Sequence, residues 1–302
     1  MIDIHHLTKR YGDVRAVDDI SFGVEPGRVT GFLGPNGSGK STTMRILLGL
    51  ASPSGGWAHV TGVPYRDLAE PLRTIGSLLD ATAVHPGRTA TNHLLALAQS
   101  NRIAHRRVVD VLQITGIADV ADRRVGTFSL GMKQRLGIAA ALLGDPPVLV
   151  LDEPINGLDT DGIRWLRELL RRLAREGRTV FMSSHVMSEM ELTADHVVVI
   201  GRGHLVADMP LQSFIDLHSQ PIVTVRSGAD ELLIRELISC GATADRTGDG
   251  AWRVTGPDPA QVGETARRLG IAIHELRVTR GSLEEIYSSL TSDESEYVGI
   301  GR

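Results

Sequence analysis

Nine consecutive residues, Gly34-Pro35-Asn36-Gly37-Ser38-Gly39-Lys40-Ser41-Thr42, have the composition of a loop that holds phosphate. Glycines let successive backbone N–H groups turn toward one anion, and a helix starting near Lys40 would add the positive end of its dipole. Lys40 is placed to reach the β- and γ-phosphates of a nucleotide, and the Ser41 hydroxyl to ligate Mg²⁺. Lysine occurs only here, at Lys9 and at Lys133 among 32 basic residues. Keeping lysine where arginine dominates elsewhere fits a need for a compact ammonium charge.

A second chemical feature lies about a hundred residues on. Val148-Leu149-Val150-Leu151-Asp152-Glu153 is an apolar run ending in two acids. A buried strand of this kind delivers its acids to the C-terminal edge of an open α/β sheet, where ligands bind. Asp152 would hold Mg²⁺ through its water shell, and Glu153 would polarise a water attacking the γ-phosphate. Strand alternation would point the two acids opposite ways. Upstream, Phe128-Ser129-Leu130-Gly131-Met132-Lys133-Gln134-Arg135 opens an amphipathic run in which Ser129 reads as an N-cap.

These residues need a frame. Residues 29–33 before the glycine loop and 44–48 after it read as strand and helix, the context a phosphate loop requires. Short β-rich runs at 2–7, 19–24 and 57–61 surround it. Residues 93–100, 106–115 and 130–143 carry apolar side chains at helical spacing, so an α-helical insertion over about 86–144 interrupts an α/β domain. The α/β pattern resumes with a strand at 148–151, a helix at 161–175 whose Ile163, Leu166, Leu169, Leu170 and Leu173 form one apolar stripe, and strands at 179–182 and 196–200. Beyond residue 220 the order becomes β-α-β-β-α-β, a small ferredoxin-like α+β unit over 221–290 read as a packing or dimerisation module. The tail, 291–302, is expected to be disordered.

With 302 residues, 42% of them hydrophobic, the chain has material for two cores, and its net charge of −4 gives no electrostatic reason to expect a nucleic-acid partner. One cysteine, Cys240, leaves no internal disulfide and no thiolate metal cluster. No basic start followed by an apolar core is present at the N-terminus, and the longest uncharged window, 46–65, is broken by prolines and glycines. The chain is therefore expected to stay inside the cell and to span no bilayer.

Taken in order, these motifs resemble the ATP-binding subunits of ABC transporters over residues 1–216, a P-loop NTPase fold with a helical subdomain. Within that resemblance, Tyr11 is similar to the aromatic residue that stacks on adenine, and 128–132 resembles the family signature, with Ser129 and Gly131 as phosphate donors. Asn156-Gly157-Leu158-Asp159 resembles the D-loop, putting Asp159 at the nucleotide, and His185 the switch histidine at the γ-phosphate. Asp80 stands where the family usually has glutamine, with Arg88 or metal expected to meet its charge, and Leu130 and Met132 replace signature glycine and glutamine. The resemblance implies ATP and Mg²⁺, a second nucleotide-binding subunit facing this one head to tail, a homodimer by expectation, and a separate transmembrane permease touched near residues 80–91. Localisation would be peripheral, on the cytoplasmic face of the membrane of a bacterial cell. The signature run and Ser282-Leu283-Glu284-Glu285-Ile286-Tyr287 look like the antibiotic-resistance exporters typified by daunorubicin export. An importer, a lipid or polysaccharide exporter, and a soluble ABC ATPase acting on ribosomes or DNA are the other readings.

Overall fold

The computed structural model describes residues 1–218, 222–248, 250–279, 283, 284 and 286. The tail expected at 291–302 lies outside them. Two compact units divide the chain, Met1–Leu211 and Gln212–Arg302.

The first unit opens with β1 (Ile2–Tyr11) and β2 (Val14–Val24), an antiparallel pair longer than the sequence pattern indicates. The pairing has register shifts, with His6 (φ 47°) and Asp19 (φ 53°) in the left-handed region. Such bulges break strict alternation, so the polar run from Thr8 to Arg10 hides its strand character. After β3 (Val29–Leu33), buried throughout, and α1 (Lys40–Leu47), β4 (Gly55–Val60) pairs with the other side of β1. Gly56 (φ 70°) lies so close to the carbonyls of His5 and His6 that no Cβ would fit.

Next come α2 (Pro71–Thr74), β5 (Ile75–Leu78) and the helices α3 (Ala90–Ser100), α4 (Arg106–Ile114) and α5 (Leu130–Leu142). Helix α5 returns onto β5 at close range: a Cβ on Gly76 would strike the Ala141 carbonyl, and one on Gly144 the Leu72 carbonyl. The remaining elements are β6 (Val148–Leu151), α6 (Thr160–Arg175), β7 (Thr179–Ser183), α7 (Met187–Thr193), β8 (His196–Gly201) and β9 (His204–Pro210). Helix α6 buries Leu166, Leu169, Leu170 and Leu173 and leaves Arg164, Arg171, Arg172 and Arg175 exposed, as its stripe requires.

A six-stranded sheet of order β5-β6-β7-β3-β8-β9 organises the unit, parallel except for β9. Phe22 of the three-stranded sheet meets Phe32 and Phe181 of the central one, with ring centroids 5.5 and 5.9 Å apart, and this cluster joins the two sheets. Strands β6, β7 and β3 are neighbours running the same way, so the segments that follow them emerge side by side at one sheet edge. No helix among the described residues is long and apolar enough to cross a membrane.

Helix α8 (Leu211–His218) starts on the last residue of the first unit, and the second unit continues with β10 (Ile222–Ser227), α9 (Asp230–Ser239), β11 (Thr243–Arg246), β12 (Trp252–Thr255), α10 (Pro259–Leu269) and β13 (Ile273–Thr279). Four antiparallel strands in the order β11-β12-β10-β13 bury Val223, Val225 and Val254 against Leu233, Leu237 and Val262 of α9 and α10. An Asp258–Gln261 capping box starts α10, and Gly270 in the left-handed region ends it. Cys240 closes α9 and is exposed.

Candidate functional site

The glycine loop leaves β3 where the backbone has no space for side chains. A Cβ on Gly34 would strike the Ile200 carbonyl and Ser38 Oγ, and one on Gly39 the Ala16 carbonyl. Gly37 (φ 82°) and Gly39 (φ 109°) adopt conformations that cost other residues strain. Gly39 is the N-cap of α1 and makes no side-chain cap bond, so the first turn of the helix stays open. Backbone N–H groups of Gly37, Gly39, Lys40, Ser41 and Thr42 find no acceptor among the described residues. Such a nest, at a helix N-terminus, suits a phosphate. Lys40, only 7% exposed, donates from Nζ to the carbonyls of Gly34 (2.6 Å) and Pro35 (3.0 Å). Burial holds its ammonium below the ordinary lysine pKa, and the charges of Glu153 and Asp152 oppose that shift.

Across this edge, β6 ends at Leu151, and the Asp152 N–H donates to the Leu78 carbonyl at 2.7 Å. Asp152 thus stays tied to β5 although the strand has ended. Glu153 has left the strand with φ 50°, and that left-handed turn, rather than the pleat, re-aims its side chain. Ser183, fully buried at the end of β7, donates its hydroxyl to Asp152 Oδ1 and accepts the Glu153 N–H at 2.9 Å. The Glu153 carboxylate meets His185 Nδ1 at 2.7 Å and accepts the His185 N–H at 3.3 Å. Lys40, Asp152, Glu153 and His185 thus stand together, as the sequence analysis expected. Gln134 and Ser183 complete the cluster and were missed, although Gln134 lies in the quoted signature run and Ser183 directly follows the apolar run Val180-Phe181-Met182. Gln134 Nε2 donates to the Glu153 carbonyl at 3.1 Å.

The other candidates lie apart from this contact network. Ser129 caps α5 by accepting the Met132 N–H at 3.2 Å, and Gly131 sits so close to the Gly157 carbonyl that a Cβ would press on it. Asp159 caps α6 by accepting the Gly162 N–H at 2.8 Å. Tyr11 is half exposed at the end of β1, its ring centroid 4.8 Å from Lys9 Nζ. Asp80 is not paired with Arg88. Its Oδ1 accepts both the N–H and the hydroxyl of Thr82, each at 2.7 Å, and these bonds hold its carboxyl below the ordinary value. The local turn, rather than Arg88, supplies the donors that meet this carboxylate.

The nest and its cation across from two carboxylates fit a nucleoside triphosphate. The family model described as ABC transporter matches residues 17–156, and the Nod factor export ATP-binding protein I of Burkholderia orbicola is 34% identical over 302 residues, covering 98% of each chain. The chain belongs to the ABC transporter ATP-binding family. It is an ATPase of that family. Among its relatives, the bacitracin transport ATP-binding protein BcrA of Bacillus licheniformis is 45% identical over 207 residues, 68% of each chain. A solved structure of an ATP-binding subunit of an ABC transporter superposes with a TM-score of 0.66 at 26% identity, covering 72% of this ABC chain and 92% of the other. Residues 221–284 match a separate family known only as a domain of unknown function.

Proposed function

We propose that this ABC ATPase drives export of a drug-like or antibiotic-like small molecule through a separate permease, from the cytoplasmic face of the membrane and as a head-to-tail dimer. Support for export comes from the relatives named for bacitracin transport and Nod factor export. The observation that carries the catalytic part is the open N–H nest with Lys40, facing Asp152 and Glu153.

Gly34 to Thr42 would wrap the phosphates, with Lys40 exchanging the Gly34 and Pro35 carbonyls for phosphate oxygens. Among the described residues no group of three or more His, Cys, Asp or Glu converges as a metal cluster. The Ser41 hydroxyl, as a direct ligand, and the Asp152 carboxylate, through water, are hard oxygen donors of the kind that would hold Mg²⁺. Mg²⁺ would neutralise phosphate charge there. Glu153 would accept the proton of the attacking water, and His185, which meets Glu153 through Nδ1, would donate from Nε2 to the γ-phosphate when its ring carries both protons. Tyr11 would stack on adenine, while Ser129, Gly131 and Asp159 would act across the dimer on the other subunit's nucleotide. Asp80 would link nucleotide state to the permease, and unchanged transport in both Asp80→Gln and Asp80→Ala would remove that role.

Affinity purification of the tagged full chain from solubilised membranes of its own host tests the whole reading. A multi-span membrane protein should co-purify, and deleting the chain should raise sensitivity to bacitracin. Recovery with ribosomes or DNA instead would overturn it.

A further inference from the structure

We infer that Gln134 and Ser183 are positioning residues that clamp the Glu153 backbone from both sides and so aim its carboxylate. The inference rests on the reading of Glu153 as the base that activates water. Glu153 lies in the left-handed region with φ 50°, a conformation that costs a non-glycine residue free energy and that bonds to its backbone help to hold. Its N–H is taken by Ser183 Oγ, and its carbonyl accepts both Gln134 Nε2 and the Asn156 N–H, the latter at 3.2 Å.

Both clamps are buried polar groups, which the fold retains only if they are bonded. Ser183 gives its single proton to Asp152 Oδ1, which turns an oxygen lone pair toward the Glu153 N–H. One hydroxyl therefore sets both acids. Gln134 is 4% exposed and lies in α5, the helix that begins beside Ser129. Its amide ties that helix to the turn carrying Glu153, so a shift of α5 would rotate the carboxylate without any contact to nucleotide.

The test uses the full chain, with steady-state hydrolysis of Mg-ATP, binding of a fluorescent ATP analogue and thermal melting. Gln134→Leu keeps the volume and removes the donor. It should lower kcat about tenfold, the order of one lost hydrogen bond, with nucleotide affinity and melting midpoint near wild type. Ser183→Ala should lower kcat as well, and because it also releases Asp152 and leaves the Glu153 N–H without an acceptor it should weaken Mg-ATP binding and lower the melting midpoint; its kcat at saturating Mg-ATP carries the test if Gln134→Leu fails to fold. Gln134→Glu should be slower still at neutral pH and should recover relative to wild type as pH falls, when the introduced carboxyl gains a proton to donate. In a Glu153→Gln background, Gln134→Leu should cause no further loss. Unchanged kcat in Gln134→Leu and Ser183→Ala beside an inactive Glu153→Gln overturns the clamp alone. Near-normal turnover in Glu153→Gln overturns the base assignment and the clamp with it.

Discussion

At the scale of single residues, Lys40 is held by the loop it serves, through two charge-assisted bonds to carbonyls that ATP would replace with bonds to anionic phosphate oxygens. Two such bonds are each worth about 1.5–3 kcal/mol, so Lys40→Ala should weaken ATP binding by roughly a hundredfold or more, measured by titration with a fluorescent nucleotide. Asp80 gives a pH prediction of known sign. Thr82 holds its carboxyl below the ordinary 3.8, so its contribution to stability is present above that value and disappears as pH falls through the lowered one. Thr82→Val removes the hydroxyl bond and should move the Asp80 titration midpoint, followed by NMR, back up toward 3.8. Much of this site was legible in the sequence because the residues that bind also determine the backbone. Gly37 and Gly39 are glycine because φ is positive there, and the same turns point N–H groups at phosphate. Gln134 and Ser183 were not legible, since their bonds to Glu153 cross 19 and 30 residues and depend on packing that no local pattern encodes.

At the scale of elements, the helical insertion is fastened where α5 meets β5 through glycine. Gly76→Ala would drive a methyl into the Ala141 carbonyl, a backbone atom that cannot swing aside. The expected cost is about 1–3 kcal/mol, read as a lower urea midpoint. Helices α5 and α6 were legible from their apolar spacing and from the caps at Ser129 and Asp159. The far end of β1 was not, because bulges at His6 and Asp19 put polar side chains out of step with the strand period. The left-handed turn at Glu153, just beyond β6, is a backbone event that the letters Asp-Glu do not announce.

For the whole molecule, the chain carries two units with separate cores, one around the central sheet and one beneath β10 to β13. Urea unfolding of the full chain should show two transitions, and Mg-ATP should shift only that of the first unit. At a hundred times its dissociation constant, the nucleotide should add about 2.7 kcal/mol there, seen by comparing tryptophan fluorescence with and without ligand. A matching shift in the second transition would show that nucleotide energy reaches the C-terminal unit.

Cys240 is the only cysteine in the chain, and it sits exposed at the end of α9 in that second unit. A maleimide dye would therefore label the natural sequence at one place, with no residue of the nucleotide site disturbed. In a homodimer, labelling with a mixture of donor and acceptor dyes would place a donor on one subunit and an acceptor on the other in part of the population, and their energy transfer would follow the distance between C-terminal units through the ATP cycle.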